Sequence, residues 1–196
     1  RVLDLGCGDG RHLQLLRQAG QEAVGLDLSA HLLALAVGRI GAGAPLVRGD
    51  MRHLPLVSGG FQTVLSLFTA FGYFGSPEAN AEPVAEVARV LRPGGHWFLD
   101  YFDGDRVLSE LGDGRARERR RQLDCLQVIE TRRYHDARRQ VIKEVQLSAL
   151  PGREAEAGRV GVGPEGLDYA EQVAVFTLAE LDEMAARRDL TRVAAA

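Results

Sequence analysis

The first ten residues of the chain combine a short apolar run with three closely spaced glycines. Three of residues 2–5 are apolar, as in a buried strand, and Gly6, Gly8 and Gly10 follow that run directly. Glycine lacks a Cβ atom, so it adopts positive φ angles easily and lets a ligand approach the backbone closely. Residues 11–19 then place apolar side chains on one helical face. A strand, a glycine turn and a helix N-terminus in this order indicate a nucleotide-type site.

The spacing of the glycines bears on which nucleotide could bind. A dinucleotide fingerprint reads G-x-G-x-x-G, whereas here the third glycine comes one residue early and Arg11 takes its place. Asp4 also lies just before the turn. A carboxylate at that position would disfavour binding of a pyrophosphate, because both groups are negatively charged. A ligand with an ammonium group beside a carboxylate could use both Asp4 and the positive end of the helix.

Strands and helices alternate over the first 103 residues. Their patterns predict strands at residues 2–5, 21–28, 45–48, 61–68 and 96–102. Helices are expected between them: the second ends at Gly41, and the third begins at Ser76 and Pro77 and stops at a turn over residues 91–95. This alternation predicts a doubly wound, mostly parallel α/β sheet.

Acidic residues follow the second and third predicted strands, at the edge where open α/β sheets bind ligands. Asp27 lies 21 residues after Gly6, where an acid can accept hydrogen bonds from both ribose hydroxyls; a capping or turn role is the alternative. Asp50 could accept a hydrogen bond from an adenine amine while Met51 packs on the ring. An ordinary surface turn would account for the same two residues.

An aromatic segment follows the fourth predicted strand. Residues 69–75 are too apolar for an exposed loop and indicate either a pocket wall or packing beneath a lid. Tyr73 is the candidate catalytic residue on the substrate side, with Asp100 and Tyr101 behind it. Core or rim packing is the alternative for each of the three.

The pattern changes after residue 103. Strands are predicted at residues 125–133, 141–147 and 169–176, with a turn at 135–138. Residues 151–166 hold five glycines and two prolines and are predicted to form a mobile loop, and a capping box at residues 177–180 opens a last helix. The expected organisation is a core of residues 1–103, an inserted antiparallel segment of residues 104–176 that covers the ligand edge of the sheet, and a return to the core at residues 177–196.

Composition and charge disfavour several functions. The net charge of −3 argues against a nucleic-acid surface, and the arginine-rich residues 115–121 are flanked by acids, which favours a solvated face. The five histidines lack ligand-type spacing, so no metal site is expected.

Cys7 and Cys125 form no C-x-x-C pair, which favours a reducing compartment. With no signal peptide or membrane span visible, the sequence predicts a cytoplasmic protein. Because the chain starts at Arg1 without methionine, we expect a trimmed domain.

Four segments in this order resemble the class I S-adenosylmethionine-dependent methyltransferases. They are VLDLGCGDG at residues 2–10, GLDLS at 25–29, GDM at 49–51 and LRPGG at 91–95. The likeness is strong over residues 1–103. Residues 68–74 and the inserted strands are similar to small-molecule methyltransferases of this family, including sugar N-methyltransferases.

The resemblance implies a Rossmann-like fold, the cofactor S-adenosyl-L-methionine and a role for each matching residue. Asp4, Gly6 and Gly8 would hold the methionine part of the cofactor, and Cys7 lies in the same turn. Asp27 would bind the ribose. Asp50 and Met51 would bind the adenine, Leu28 would pack on the adenine, and the Leu67 carbonyl would face the amino group. The family's sheet carries two further strands, and here the chain ends as the next would begin.

The implied reaction is methyl transfer to a nitrogen or oxygen, less often a carbon, of a small molecule. A sulfonium methyl is already activated, so placement and exclusion of water supply most of the rate, and a base is needed only for a protonated acceptor. Two alternatives remain open at this point: an NAD(P)-dependent oxidoreductase, and a cofactor-binding module without catalysis. We expect a small-molecule substrate, no nucleic acid and no membrane, and the sequence leaves the oligomeric state open.

Overall fold

The computed structural model describes residues 1–41 and 43–194, and the chain divides into two compact units. The first unit comprises Arg1–Phe102 together with the residues from Leu178 onward, and the second comprises Asp103–Thr177. In these described ranges, no helix combines the length and the apolar character needed to cross a membrane.

A parallel five-stranded sheet forms the centre of the first unit. Its strands are β1 (Val2–Leu5), β2 (Ala23–Asp27), β3 (Leu46–Arg48), β4 (Phe61–Ser66) and β5 (Leu91–Leu99). They lie in the order β3-β2-β1-β4-β5, and every neighbouring pair is parallel. The strand order reverses between β1 and β4, and ligands of such sheets bind at the carboxyl ends of the strands flanking that point. The predicted doubly wound parallel sheet is confirmed.

Six α-helices occur in the described residues. They are α1 (Arg11–Gln18), α2 (Ala30–Ile40), α3 (Pro77–Val90), α4 (Gly104–Leu111), α5 (Glu154–Arg159) and α6 (Leu178–Ala186). The hydroxyls of Ser29 and Ser76 accept hydrogen bonds from backbone N–H groups in the first turns of α2 and α3 and so define where these helices begin. α2 ends at Gly41, as its sequence predicts.

The core of the first unit is built around the central strands. All four residues of β1 are buried, and the side chains of Leu3, Leu5, Phe61 and Val64 are at most 1 % exposed. Each such side chain contributes roughly 1.5–3 kcal/mol by leaving water. This burial fixes the carboxyl ends of β1 and β4, which support the residues described below.

Several strand boundaries differ from those predicted, and the differences at β4 and β5 lie next to the site described below. Residues 91–95, expected to form a helix stop and turn, belong to β5, because Leu91 pairs with Phe61 before the register shifts and pairing resumes between Thr63 and His96. The predicted turn therefore corresponds to a break in the pairing of β5 with β4. β4 ends at Ser66, two residues early, since the next residues leave the extended conformation.

The second unit contains an antiparallel sheet. Its strands follow the chain in the order β6 (Arg117–Leu123), β7 (Leu126–His135), β8 (Gln140–Ala149) and β9 (Leu167–Ala174). The hairpin around residues 135–138 is as predicted. β6 and α4 were not predicted: every residue of β6 is exposed, so its sequence shows charge rather than the alternation typical of a strand.

The prediction of a loop at residues 151–166 was wrong in part. This stretch contains α5, whose Ala157 is fully buried and packs with Val162 and Cys125 in a small core cluster. Its glycines and prolines suggested an unstructured segment, but the two apolar side chains give it a buried face.

Candidate functional site

A cavity of about 480 Å³ lies at the carboxyl ends of the central strands, and its lining residues all belong to Arg1–Phe102. Its volume falls within the usual range of small-molecule sites. The lining includes the nine predicted cofactor residues and the candidate catalytic residue: Asp4, Gly6, Cys7, Gly8, Asp27, Leu28, Asp50, Met51, Leu67 and Tyr73. The fold thus brings these residues together, while their individual roles stay predictions.

The three glycines of the turn after β1 have different surroundings. All three have positive φ angles, +78° at Gly6, +53° at Gly8 and +77° at Gly10. A Cβ atom at Gly6 would lie 2.7 Å from the Cβ of Ala70, and one at Gly10 would lie 2.7 Å from the Cδ1 of Ile40. A Cβ at Gly8 would meet no atom within 4 Å. The protein itself therefore fills the space beside the outer two glycines and leaves open space beside Gly8.

Asp27 ties the end of β2 to this glycine turn. Its Oδ2 accepts a hydrogen bond from the backbone N–H of Gly8 at 2.9 Å, and its Oδ1 accepts one from Ser29 at 2.8 Å. Ser29 caps α2 with its own hydroxyl, so Asp27 is not needed as that cap, but the bond that its Oδ1 accepts from Ser29 is the turn role that the sequence left open. A carboxylate has about four lone-pair sites, so capacity remains for hydroxyl donors of a ligand.

Asp4 is a buried carboxyl group that lines the cavity. It is 2 % exposed, and its Oδ2 has no hydrogen-bond partner in the described structure. Burial, together with the nearby charge of Asp27, raises the pKa of this carboxyl to about 6, although a backbone hydrogen bond at Leu13 opposes the rise. An unpartnered buried oxygen of this kind costs free energy, and a cationic group in the cavity would supply the missing partner.

Cys7 contributes an uncharged side chain to the lining of the cavity. Its thiol is buried, and burial, reinforced by the charge of Asp4, raises its pKa to about 12. The thiol therefore stays protonated at neutral pH, and a nucleophilic role for it is disfavoured.

Asp50 is held by its neighbour Arg52. The guanidinium donates to Oδ2 at 2.6 Å, the Arg52 backbone N–H donates to Oδ1 at 2.9 Å, and these bonds lower the pKa of Asp50. Arg52 also lies over the ring of Phe74, 4.6 Å from its centroid, and buried Asn80 fixes the Phe74 backbone with two hydrogen bonds. The sequence interpretation missed this support because Phe74 and Asn80 lie in a different part of the chain. Next to Asp50, Met51 packs partly buried against the core.

The segment that follows β4 has an unusual backbone. Phe68 and Thr69 both adopt the left-handed conformation, with φ of 55° and 57°. Each such residue other than glycine costs about 1–2 kcal/mol. The backbone N–H of Phe68 donates to the Oδ2 of Asp100 at 2.9 Å, and that of Thr69 donates to the Asp100 carbonyl at 3.2 Å. Asp100 was expected behind Tyr73 on the substrate side, but its carboxylate binds the backbone of this segment.

The ring of Phe68 meets the first turn of α1. It stacks on the imidazole of His12 at 5.0 Å with an interplanar angle of 15°, and the guanidinium carbon of Arg11 lies 4.6 Å from its centroid. All three residues line the cavity. Burial and the adjacent Arg11 lower the pKa of His12. Phe68 was assigned to the fourth strand from the sequence; its place at the carboxyl end of that strand was the available signal for a site residue.

The remaining aromatic candidates divide into two groups. Tyr73 is half-exposed at the cavity wall. Tyr101 packs edge-on against Phe71, with the ring centroids 5.8 Å apart, and stacks on Phe102. Its ring thus takes part in packing, the alternative that the sequence left open. Within residues 1–41 and 43–194, no group of three or more His, Cys, Asp or Glu side chains is placed to hold a metal ion.

Comparison with known proteins bears on the identity of this domain. Residues 2–95 match a family described as a methyltransferase domain. The dTDP-3-amino-3,4,6-trideoxy-alpha-D-glucopyranose N,N-dimethyltransferase of Streptomyces venezuelae is 34% identical over 123 residues, which cover 59% of this chain and 51% of that protein. The chain spans about half the length of the curated relatives it matches.

Solved structures extend the comparison to nearly the whole chain. An S-adenosylmethionine-bound amino pentose methyltransferase of Micromonospora echinaspora is 25% identical, with a TM-score of 0.64, over 96% of this chain and 74% of that one. The CcbJ methyltransferase of Streptomyces caelestis shares the fold at 19% identity, with a TM-score of 0.80, over 98% of this chain and 73% of that one. These matches give no support to the nicotinamide-dependent oxidoreductase that the sequence left open.

Proposed function

We propose a function on the premise that this chain, through its residues 2–95, belongs to the class I S-adenosylmethionine-dependent methyltransferases. The chain transfers a methyl group from S-adenosylmethionine to a nitrogen or oxygen of a small molecule. The observation that carries the proposal is the unpartnered Oδ2 of buried Asp4 in the cavity wall, because the methionine end of this cofactor brings an ammonium group.

The residues around the glycine turn suit the methionine end. Asp4 accepts the ammonium, and open space beside Gly8 lets the ligand approach the backbone near the positive end of α1. Gly6 keeps the turn close to the segment after β4, and the neutral thiol of Cys7 adds no charge beside Asp4.

The other half of the cavity suits the nucleoside. Asp27 uses its remaining lone pairs to accept from the ribose hydroxyls. Asp50, immobilised by Arg52, accepts from the adenine amine, and Leu28 and Met51 flank the ring. Leu67 also lines the cavity, and its backbone carbonyl is the proposed partner of the cofactor's amino group.

The reaction asks the chain mainly to orient two molecules. The bound cofactor supplies an activated methyl group; the protein holds it, places the acceptor in line and excludes water. Tyr73 is the proposed contact with the acceptor. If it acts as an acid or base, Tyr73→Phe lowers kcat, whereas an unchanged rate removes it from that role.

An amino group of a sugar-like small molecule is the favoured acceptor. Two curated relatives are named as N,N-dimethyltransferases of dTDP-linked amino sugars, and a solved neighbour is an amino pentose methyltransferase. Other relatives are named as malonyl-[acyl-carrier protein] O-methyltransferases, so oxygen acceptors belong in the same screen. The proposal includes no membrane or nucleic-acid partner and places the chain in the cytoplasm.

Calorimetric titration with S-adenosylmethionine and S-adenosylhomocysteine tests the cofactor assignment first. Binding should be lost in Asp27→Ala and kept in Asp168→Ala, a control that removes an exposed acid from the second unit. A radiolabelled methyl-transfer screen over amino sugars, carboxylic acids and tRNA then tests the acceptor. No binding by the folded chain would refute the proposal, and binding without transfer would favour a non-catalytic module.

A further inference from the structure

We propose that Asp100 is a positioning residue for the methyl transfer proposed above. It holds the backbone of Phe68 and Thr69 in the left-handed conformation and thereby keeps the Phe68 ring at the cavity wall, against α1. The inference rests on the proposed function for its effect on catalysis, while its structural part can be tested without cofactor.

The first step of the argument is the bonding of Asp100. Its N–H donates to the Ser66 carbonyl at 2.8 Å, its carbonyl accepts from Thr69 at 3.2 Å, and its carboxylate accepts from Phe68 at 2.9 Å. Asp100, which directly follows β5, thus makes one bond to the last residue of β4 and two bonds to the segment after β4. Only the bond to Phe68 uses the side chain, so a substitution at position 100 removes that bond selectively.

The second step is the conformation that these bonds hold. Two successive residues other than glycine adopt positive φ here, at Phe68 and Thr69. L-residues rarely occupy this region, and such outliers persist where the surrounding structure over-determines them. The carboxylate of Asp100 is the side-chain partner that meets the first of these two backbone amides.

The third step is the position of the Phe68 ring. Phe68 is 66 % exposed, yet its ring stacks on His12 and lies beside the Arg11 guanidinium, and all three residues line the cavity. The contact joins the segment after β4 to the first turn of α1. If the backbone at Phe68 relaxed to a negative φ, the ring would point elsewhere and this part of the wall would be lost.

Asp100 itself does not line the cavity, and its Oδ2 is already engaged by Phe68. Asp100 therefore affects the reaction indirectly, by fixing the position of Phe68 in the cavity wall. Because in-line transfer depends on the orientation of bound groups, a displaced wall should lower kcat more than it changes binding of the cofactor.

The structural part is tested by NMR on the unliganded protein. Phe68→Leu removes the aromatic ring and defines where the His12 ring-proton resonances lie without the stack, and His12→Asn assigns those resonances. Asp100→Ala should shift them toward the Phe68→Leu positions. Asp100→Asn keeps an oxygen that can accept from Phe68 and should leave them near the wild-type positions. Asp105→Ala, an exposed acid five residues further on, is the matched control.

The catalytic part is tested by steady-state kinetics on the same variants. Asp100→Ala should lower kcat by about tenfold with S-adenosylhomocysteine affinity retained, and Asp100→Asn should stay near wild type. Unchanged His12 resonances in Asp100→Ala, or shifted resonances with an unchanged kcat, would overturn the inference. Shifted resonances in a chain that binds no S-adenosylhomocysteine would refute the proposed function while supporting the placement of Phe68 by Asp100.

Discussion

Asp4 carries a carboxyl group in a place where the folded chain gives it little support. Its Oδ2 lacks a partner in the described structure, and burial raises its pKa to about 6. A buried carboxyl group without a partner destabilises the unliganded protein. Such groups occur in natural proteins at sites where a ligand supplies the missing hydrogen-bond or ionic partner. The same residue is therefore expected to lower stability and to raise cofactor affinity.

The pH dependence of stability gives the first prediction. The folded state raises the pKa of Asp4 from 3.8 to about 6, so it holds the proton more tightly than the unfolded chain does. Ionising Asp4 thus costs stability as pH rises from about 4 to 6, by roughly 3 kcal/mol in all. Asp4→Asn should raise the free energy of unfolding by about 2–3 kcal/mol at pH 7.5 and change it little at pH 4. Urea unfolding at both pH values measures this.

Cofactor binding supplies the control for that prediction. An ammonium group pairs best with ionised Asp4, so affinity for S-adenosylhomocysteine should rise about tenfold between pH 5 and pH 7 in the wild type and then level off. Asp4→Asn should bind weakly and show no such rise. Equal stability changes at both pH values would show that the carboxyl charge is not the source of the cost.

At the scale of elements, the turn between β1 and α1 offers a second prediction. Gly8→Ala places a Cβ in open space at a φ of +53°, so the protein should fold with a loss of about 1 kcal/mol while S-adenosylhomocysteine binding falls at least tenfold. Gly20→Ala is the matched control: its φ is +75°, a Cβ there also meets no atom within 4 Å, and it lies outside the cavity lining.

Calorimetry and thermal unfolding of these two variants separate strain from obstruction. Both should lose a similar amount of stability, and only Gly8→Ala should lose binding. Wild-type affinity in Gly8→Ala would show that the ligand does not approach the backbone at this glycine.

The sequence predicted the elements of the first unit because their signals are local. Apolar runs, the caps at Ser29 and Ser76 and the closely spaced glycines each depend on residues near one another in the chain. The contacts that complete the cavity wall are not local. Asp100 binds Phe68 across 32 positions, and no periodicity or propensity reports such a pair.

At the scale of the whole molecule, the second unit was the harder one to predict. β6 is an edge strand whose residues are all exposed, so it lacks the apolar alternation that identifies strands. α5 is only six residues long and depends on tertiary contacts of Ala157 rather than on helix propensity. Both elements are specified by what they pack or pair with, which composition alone does not reveal.

The division of the chain into two units gives the last prediction. Every residue that lines the cavity lies between Asp4 and Phe74, and ligand binding stabilises the regions it contacts against local opening. S-adenosylhomocysteine should therefore slow amide hydrogen exchange in residues 4–12, 26–32, 49–51 and 67–74. Exchange in the β6–β9 sheet should stay unchanged, and Asp27→Ala should show no protection at the same ligand concentration. Protection of the sheet comparable to that of the glycine turn would show that the binding surface extends beyond residues 1–102, and the cofactor assignments would then need residues from the second unit.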